Sequence, residues 1–157
     1  MTQKGKRASK LTAILLSLMM AVVFMPTFAF AADAADDITV YMTISDQGDL
    51  AEANDGSAMA WKEVTVKDNN SDGAFTFDEA LVAVHEQYNS PDGFATTSAG
   101  SGATKIWGET TPHNDFFFTN NGTAIPNGIK ADTIKAGDHL MAAIFDDQEF
   151  ASDYVAN

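Results

Sequence analysis

The sequence predicts an α+β domain in which a mixed or antiparallel sheet is covered on one face by a single helix. Residues 38–45 and 61–67 alternate between apolar and polar side chains, residues 78–89 carry one apolar stripe at helical spacing, and several short apolar runs are bounded by Gly and Asn turns. A period of two is typical of half-buried strands, and a period of 3.6 is typical of helices that cover a core. With 45% apolar residues the chain can bury such a core, which excludes wholesale disorder.

The first 31 residues are expected to be removed during export, because they have the three parts of a secretory signal peptide. Basic residues up to Lys10 precede an uncharged apolar stretch from Leu11 to Met25, and the small-residue sequence Ala29-Phe30-Ala31 follows. We therefore expect cleavage after Ala31 and a secreted or cell-surface protein. The alternative is an uncleaved anchor, since the uncharged stretch is close to the ~20 residues that a membrane-spanning helix needs.

Charge is divided unequally along the chain. Residues 1–31 hold four of the nine basic residues and no acidic one, so the remainder carries five basic and 22 acidic residues and a formal charge of −17. A surface this acidic attracts cations and repels phosphate groups and anionic lipids, which argues against nucleic-acid binding and against membrane contact beyond the signal peptide. The chain also lacks cysteine, which excludes disulfides and thiolate metal sites. Composition therefore favours a divalent cation as a ligand.

The exported part is expected to be one domain. Residues 32–37 form a small polar leader that we expect to be flexible, residues 38–150 form the α+β domain, and residues 151–157 form a C-terminal tail. About 120 residues are enough for one modest hydrophobic core.

The elements of this domain follow from local patterns. The strands at residues 38–45 and 61–67 enclose a polar loop, and the helix of residues 78–89 ends at the turn signal Ser90-Pro91-Asp92-Gly93. Shorter apolar runs are expected to complete the sheet at residues 105–108, 115–119 and 139–145.

Residues 68–79, between the second strand and the helix, contain the one motif that carries chemistry. They fit D-x-[DN]-x-[DN]-G-x5-E at every specified position. A calcium ion takes six to eight oxygen ligands at about 2.3–2.6 Å, which a twelve-residue loop supplies by wrapping once around the ion. Gly73 stands where the chain needs a backbone conformation that side chains disfavour, and Phe75 is expected to anchor the loop to the core. The predicted metal ligands are Asp68, Asn70, Asp72, the carbonyl of Ala74, Thr76 directly or through water, and both carboxylate oxygens of Glu79.

This loop resembles the EF-hand calcium loop, and the resemblance covers residues 68–79 and the helix that follows. A strand stands where an EF-hand has its entering helix, and no second consensus loop follows, so sensor behaviour is not implied. The resemblance implies a structural Ca²⁺ at a strand-loop-helix junction, with an affinity of about 10⁻⁴ to 10⁻³ M adequate outside the cell. The alternative is an Asx-rich turn that merely caps the helix, because Asp and Asn favour turns in any case.

A wider resemblance rests on short segments spread over about residues 38–145. The segments are the two alternating strands, the helix, Lys105-Ile-Trp-Gly108, the aromatic run from Phe116 to Gly122, and Lys135-Ala-Gly-Asp138 with the apolar run after it. Together they make the chain similar to the bacterial secreted relatives of the transcobalamin C-terminal domain. That resemblance implies a β-grasp-like mixed sheet packed on one main helix, in proteins of Gram-positive surfaces. It implies no corrinoid binding, because no cobalamin-contacting residue is matched.

Other candidate sites have weaker sequence patterns than the loop of residues 68–79. His85, His113 and His139 are the imidazoles of the chain, and none has a histidine partner at helical spacing for zinc; we expect His85 to be a half-exposed helical residue. No G-x-S-x-G elbow marks a hydrolase. The aromatic residues Trp61, Trp107 and Phe116 to Phe118 are either core or a platform for a sugar or peptide.

We therefore expect a non-catalytic, calcium-binding, secreted or cell-surface domain with a role in adhesion or recognition of an extracellular protein or glycan. The first alternative is a module that binds a small ligand, glycan or peptide in an aromatic cleft near Trp107 and Phe116 to Phe118. The second alternative is an uncharacterised hydrolase.

Overall fold

The computed structural model describes residues 36–111 and 115–145. The chain divides into two units, residues 1–33 and residues 34–157, and every described residue belongs to the second. The expected signal peptide, the C-terminal tail and His113 lie outside the described residues, so what the sequence predicts for them stays a prediction. Within the described ranges no helix is long and apolar enough to span a bilayer.

Three strands form the centre of a mixed sheet. Strand β1 (Ile38–Asp46) runs parallel to β8 (His139–Ile144), and β8 pairs on its other side with the antiparallel strand β6 (Phe116–Asn120). Every residue of β8 is buried. A short and almost continuously apolar sequence is what a strand covered on both faces requires, which explains why this segment lacks the polar alternation of a half-exposed strand.

Shorter strands extend the sheet and form a small ribbon beside it. Strands β2 (Asp49–Leu50) and β3 (Lys62–Val66) both pair antiparallel with β1, and β7 (Thr123–Ala124) pairs antiparallel with β6. A separate antiparallel ribbon contains β4 (Ala95–Thr96) and β5 (Ala103–Lys105). The Asn121-Gly122 pair has positive φ at both residues, which gives the β6–β7 hairpin the turn that matches the twist of its strands.

The predicted α+β class, a β-grasp-like mixed sheet packed on one main helix, is wrong. Strand residues make up 39% of the structure and helical residues 14%. The described chain contains one α-helix, α1 (Phe77–Tyr88), followed by a single 3₁₀ turn at Pro91–Gly93. The fold is therefore mainly β, a mixed sheet with one short helix. Periodicity could not show this, because β2, β4, β5 and β7 have only two or three residues each and are too short to alternate.

The long elements of the sequence analysis are confirmed and one short element is not. Strands β1 and β3 lie at the two predicted alternating segments, and α1 begins one residue before the predicted helix. The predicted strand at residues 105–108 is wrong, because Ile106 and Glu109 close a turn there by pairing with each other.

One hydrophobic core combines alternate residues of the sheet with one side of α1. Its members on β1, β3, β8 and α1 include Val40, Met42, Ile44, Val64, Val66, Phe77, Leu81, Val84, Leu140, Ala142 and Ile144. Because side chains alternate along a strand, Tyr41, Thr43 and His139 lie on the opposite face of the sheet.

Candidate metal loop and its surroundings

The predicted calcium loop joins β3 to α1 in the expected order of strand, loop and helix. The end of the loop is fixed to a distant segment, because the Ile134 amide donates to the Phe75 carbonyl at 2.8 Å and Thr76 forms an isolated bridge with Thr133. Phe75 is 9% exposed and belongs to the core, so its predicted anchoring role is confirmed.

The first half of the loop is a turn wound around the oxygens of its own side chains. The Asp68 carboxylate accepts from the amides of Gly73 at 2.8 Å and Asp72 at 3.2 Å. Asn70 Oδ1 accepts from the Asp72 amide at 2.9 Å, and Asp72 Oδ1 accepts from the Ala74 amide at 2.8 Å. Gly73 has φ +82°, the left-handed conformation that the sequence predicts there. Three of the predicted ligands thus share one turn.

The last predicted ligand, Glu79, is engaged in a capping box at the start of α1. Its Oε2 accepts from the Thr76 amide at 2.9 Å and from the Thr76 hydroxyl at 3.0 Å, while the Glu79 amide donates to that hydroxyl oxygen at 3.3 Å. Its Oε1 accepts from the Asn69 amide at 2.9 Å, and the residue is only 5% exposed. The Glu79 carboxylate therefore reaches the residue next to Asp68, but one of its oxygens is held by the cap and the other by the Asn69 amide.

The six predicted ligands do not form a closed coordination shell in this arrangement. Among residues 36–111 and 115–145, no three acidic, histidine or cysteine side chains converge closely enough to hold a metal ion. The donor types and their order fit calcium, and so does the backbone of the turn around Asp68, Asn70 and Asp72. The side chains of Thr76 and Glu79 instead form the capping box of the helix.

Two residues that the sequence analysis missed lie beside this loop. A cavity of about 370 Å³ is lined by Asn69, Asn70, Thr76, Glu79 and Val82 together with Asp78 and Lys130. Within the described part of the chain, Oδ1 of Asp78 is buried without a hydrogen-bond partner. Burial raises the pKa of Asp78, the positive charge of Lys130 opposes this shift, and Glu79 adds to it. No local pattern could have linked Lys130 to the loop, because the fold brings it there from a distant part of the chain.

His85 is buried instead of half-exposed, so that expectation is wrong. Nδ1 lies 2.6 Å from the Leu81 carbonyl, and Nε2 accepts from the Trp107 amide at 2.9 Å. These two bonds assign the neutral tautomer that carries its proton on Nδ1, since Nε2 can accept only when unprotonated. Burial lowers the pKa of His85, and the bond to Leu81 partly opposes that shift. The imidazole joins α1 to the turn that follows β5.

The expected aromatic cleft near Trp107 and Phe116 to Phe118 stays a prediction, and the two parts of it have different surroundings. Trp107 donates from Nε1 to the Glu52 carbonyl at 2.9 Å, and its main chain is held by His85. A separate depression of about 320 Å³ is lined by the three phenylalanines, with Ser101, Ile125, Pro126, Asn127 and Gly128, and without Trp107. Both the main chain and the indole nitrogen of Trp107 are thus hydrogen-bonded within the fold, as in a structural residue.

No protein-family profile matches this chain, and no curated protein sequence or solved structure is significantly similar to it. The EF-hand-like and transcobalamin-like resemblances therefore stay predictions.

Proposed function

We propose that residues 68–79 bind one Ca²⁺, and that the ion stabilises the junction between β3 and α1 in an exported, non-catalytic domain. The observation that carries the proposal is the turn from Asp68 to Gly73. Its oxygen-bearing side chains stand at alternate positions and are held by main-chain amides, and its glycine has φ +82°. An ion that takes six to eight oxygens is the ligand best matched to this pattern of donors.

The donors of the turn remain able to bind a cation while they accept hydrogen bonds. Each carboxylate or amide oxygen has a second lone pair beyond the one that accepts from a loop amide. Asp68, Asn70 and Asp72 would supply side-chain oxygens, and the Ala74 carbonyl and the Thr76 hydroxyl or a water would add two more. Glu79 would supply both oxygens after it leaves the Asn69 and Thr76 amides.

The competing interpretation is a turn that caps α1 and binds no ion. A capping interaction contributes about 1 kcal/mol to stability. Calcium at ~100 times its dissociation constant contributes about 2.7 kcal/mol. Because this dissociation constant is measured against the capped chain, it already includes the loss of the Glu79 cap, and the calcium-bound form is the more stable one wherever calcium is in large excess. At low calcium the capped form of Glu79 would be the more stable one.

The rest of the chain supports this reading in general terms. The part after residue 31 has a formal charge of −17, so a bound cation would reduce the repulsion between its acidic side chains. It also has no cysteine, so a bound cation would stabilise the fold where other exported domains use disulfides. We place the wider role of the protein in adhesion or in recognition of an extracellular protein or glycan.

Calorimetric titration and thermal melting test the proposal directly. The chain without residues 1–31 is stripped with EGTA and titrated with Ca²⁺, with Mg²⁺ as the control ion. We expect one site per chain and a melting temperature that rises by several degrees at saturating Ca²⁺ and much less with Mg²⁺. Absence of binding heat together with identical melting curves in Ca²⁺ and EGTA would rule out the calcium site and leave the capped turn.

A further inference from the structure

Trp61 is a large aromatic residue that the fold leaves in solvent. It is 55% exposed, whereas Phe117 is the next most exposed large apolar residue of the described ranges at 37%. It lies immediately before β3 and has φ +50°. Bulky side chains rarely adopt this left-handed conformation, and residues held in it cluster at functional sites.

The Trp61 ring packs against the sheet through His139 and Thr43. It stacks on the His139 imidazole with 3.5 Å between ring centroids and 13° between planes. The Trp61 amide donates to Thr43 Oγ1 at 3.2 Å, and the same oxygen lies 3.0 Å from Nε2 of His139. One face of the indole is thus covered by a nearly parallel ring, and its high exposure belongs to the other face and the edges.

Polar groups surround this aromatic surface. Tyr41 lies beside Trp61 with ring centroids 6.2 Å apart, and Glu63 pairs with Tyr41 across β1 and β3. Glu63 is exposed, and Thr39 and Thr65 add exposed hydroxyl groups. Because side chains of one strand alternate between faces, these residues share the sheet face that carries Trp61, opposite the core.

We propose that Trp61 is the stacking platform of a binding site for a neutral polysaccharide, with Tyr41 extending the platform and Glu63 at its rim. A pyranose ring has an apolar face of C–H groups and an edge of hydroxyl groups. The flat, open indole face matches the C–H face of the sugar, and a carboxylate with neighbouring threonine hydroxyls matches its hydroxyl edge. This site shares no residue with the metal loop and is independent of the calcium proposal.

Charge and geometry separate this ligand class from two others. The formal charge of −17 after residue 31 repels anionic polymers. A cation cage needs aromatic rings that stand apart around the cation, but Tyr41 and Trp61 lie at 6.2 Å with a 50° tilt and leave no space between them. An extended neutral polysaccharide that lies across the two rings is not repelled by the acidic surface and needs no space between the rings.

Calorimetric titration with cellohexaose, laminarihexaose and chitohexaose tests the site in the purified chain. We expect at least one of these probes to bind wild type with a millimolar or lower dissociation constant, and Trp61→Asn to weaken that binding by at least tenfold. Asn adopts a positive φ more readily than Trp, so the variant should fold. Glu86→Ala, at an exposed position of α1 and therefore on the core side of the sheet, is the control and should bind as wild type does.

The outcomes are distinguishable. Tenfold weaker binding in Trp61→Asn, with a melting temperature within a few degrees of wild type, supports the proposal. Absence of binding of all three probes to wild type overturns it, as does wild-type affinity in Trp61→Asn. Binding of tetramethylammonium without binding of any oligosaccharide also overturns it and assigns the surface to cations.

Discussion

Gln87 on α1 pairs with both main-chain groups of Thr65 on β3. The Thr65 amide donates to Oε1 at 3.1 Å, and Nε2 donates to the Thr65 carbonyl at 2.8 Å. The Tyr88 hydroxyl donates to the Glu63 carbonyl at 2.7 Å. Strand β3 pairs with β1 on one side, so its other edge would otherwise offer open groups for pairing with a second chain. The last turn of α1 therefore protects the edge of the sheet.

Gln87→Ala should uncover this edge. We expect the free energy of unfolding to fall by about 1 kcal/mol, because two exposed hydrogen bonds are lost. We also expect concentration-dependent self-association, which sedimentation velocity would detect, while urea denaturation gives the stability. Glu86→Ala, at the neighbouring exposed position of α1, is the control. A Gln87→Ala chain as stable and as monomeric as the control would show that the edge needs no protection.

The sequence predicted the long elements because each carries a complete period. Strands β1 and β3 alternate over at least five residues, and α1 has three turns with one apolar stripe. The fold class was wrong because four further strands, β2, β4, β5 and β7, are very short and are specified by tertiary pairing. The bond between Gln87 and Thr65 has no sequence signal either, since it depends on how α1 lies against β3.

The candidate site was predictable in part for a different reason. The spacing from Asp68 to Glu79 specifies a loop, and the turn at Gly73 has the predicted backbone conformation. Thr76 and Glu79 also satisfy the S/T-x-x-E capping box, a second pattern on the same residues that could have been read from the sequence. Both the calcium-loop pattern and the capping-box pattern thus require Glu79, and in the structure its side chain forms the capping box.

Glu79→Gln should separate the two roles of this residue. Glutamine can keep the capping box, but its NH2 group cannot accept from the Asn69 amide as Oε1 does, so we expect the calcium-free chain to lose about 1–3 kcal/mol of stability. The neutral amide cannot replace a bidentate carboxylate, so the rise in melting temperature with Ca²⁺ should disappear. Differential scanning calorimetry in EGTA and in Ca²⁺ measures both quantities. A full calcium-induced shift in Glu79→Gln would contradict the proposed ligand role.

Asp68→Ala is the complementary change, because it removes a proposed ligand without touching the capping box. It also removes the acceptor of the Gly73 and Asp72 amides, so we expect a loss of about 1 kcal/mol in EGTA and no further response to Ca²⁺. Asp92→Ala, in the 3₁₀ turn after α1, removes one charge at a distance from the loop. This control should keep the calcium response of wild type.

His85 should make the stability depend on pH. Burial lowers its pKa below the ordinary value of 6.5, so the unfolded chain takes up a proton first as the pH falls. The contribution of His85 is constant above about pH 6.5, and stability is lost below that value until the folded chain is protonated as well. Protonation of Nε2 would also break its bond from the Trp107 amide.

His85→Gln isolates this contribution, because its side chain does not titrate. We expect it to be less stable by about 1–3 kcal/mol near neutral pH, since the Trp107 amide loses its partner. The difference from wild type should shrink as the pH falls from 6.5 to 5, and urea denaturation across that range would show it. His139 and the carboxylates titrate in both chains and cancel in the difference. A difference that is constant with pH would mean that folding leaves the pKa of His85 unchanged.

Gly128 and Gly122 offer a comparison between steric contact and backbone conformation. Both have positive φ, at +94° and +75°, so alanine is strained at either position by about 1–2 kcal/mol. A Cβ at Gly128 would lie 2.7 Å from the Ser101 carbonyl oxygen, whereas a Cβ at Gly122 would meet no atom within 4 Å. We therefore expect Gly128→Ala to cost at least twice as much as Gly122→Ala in urea denaturation. Equal losses would show that residues 101 and 128 separate freely and that only the backbone conformation matters.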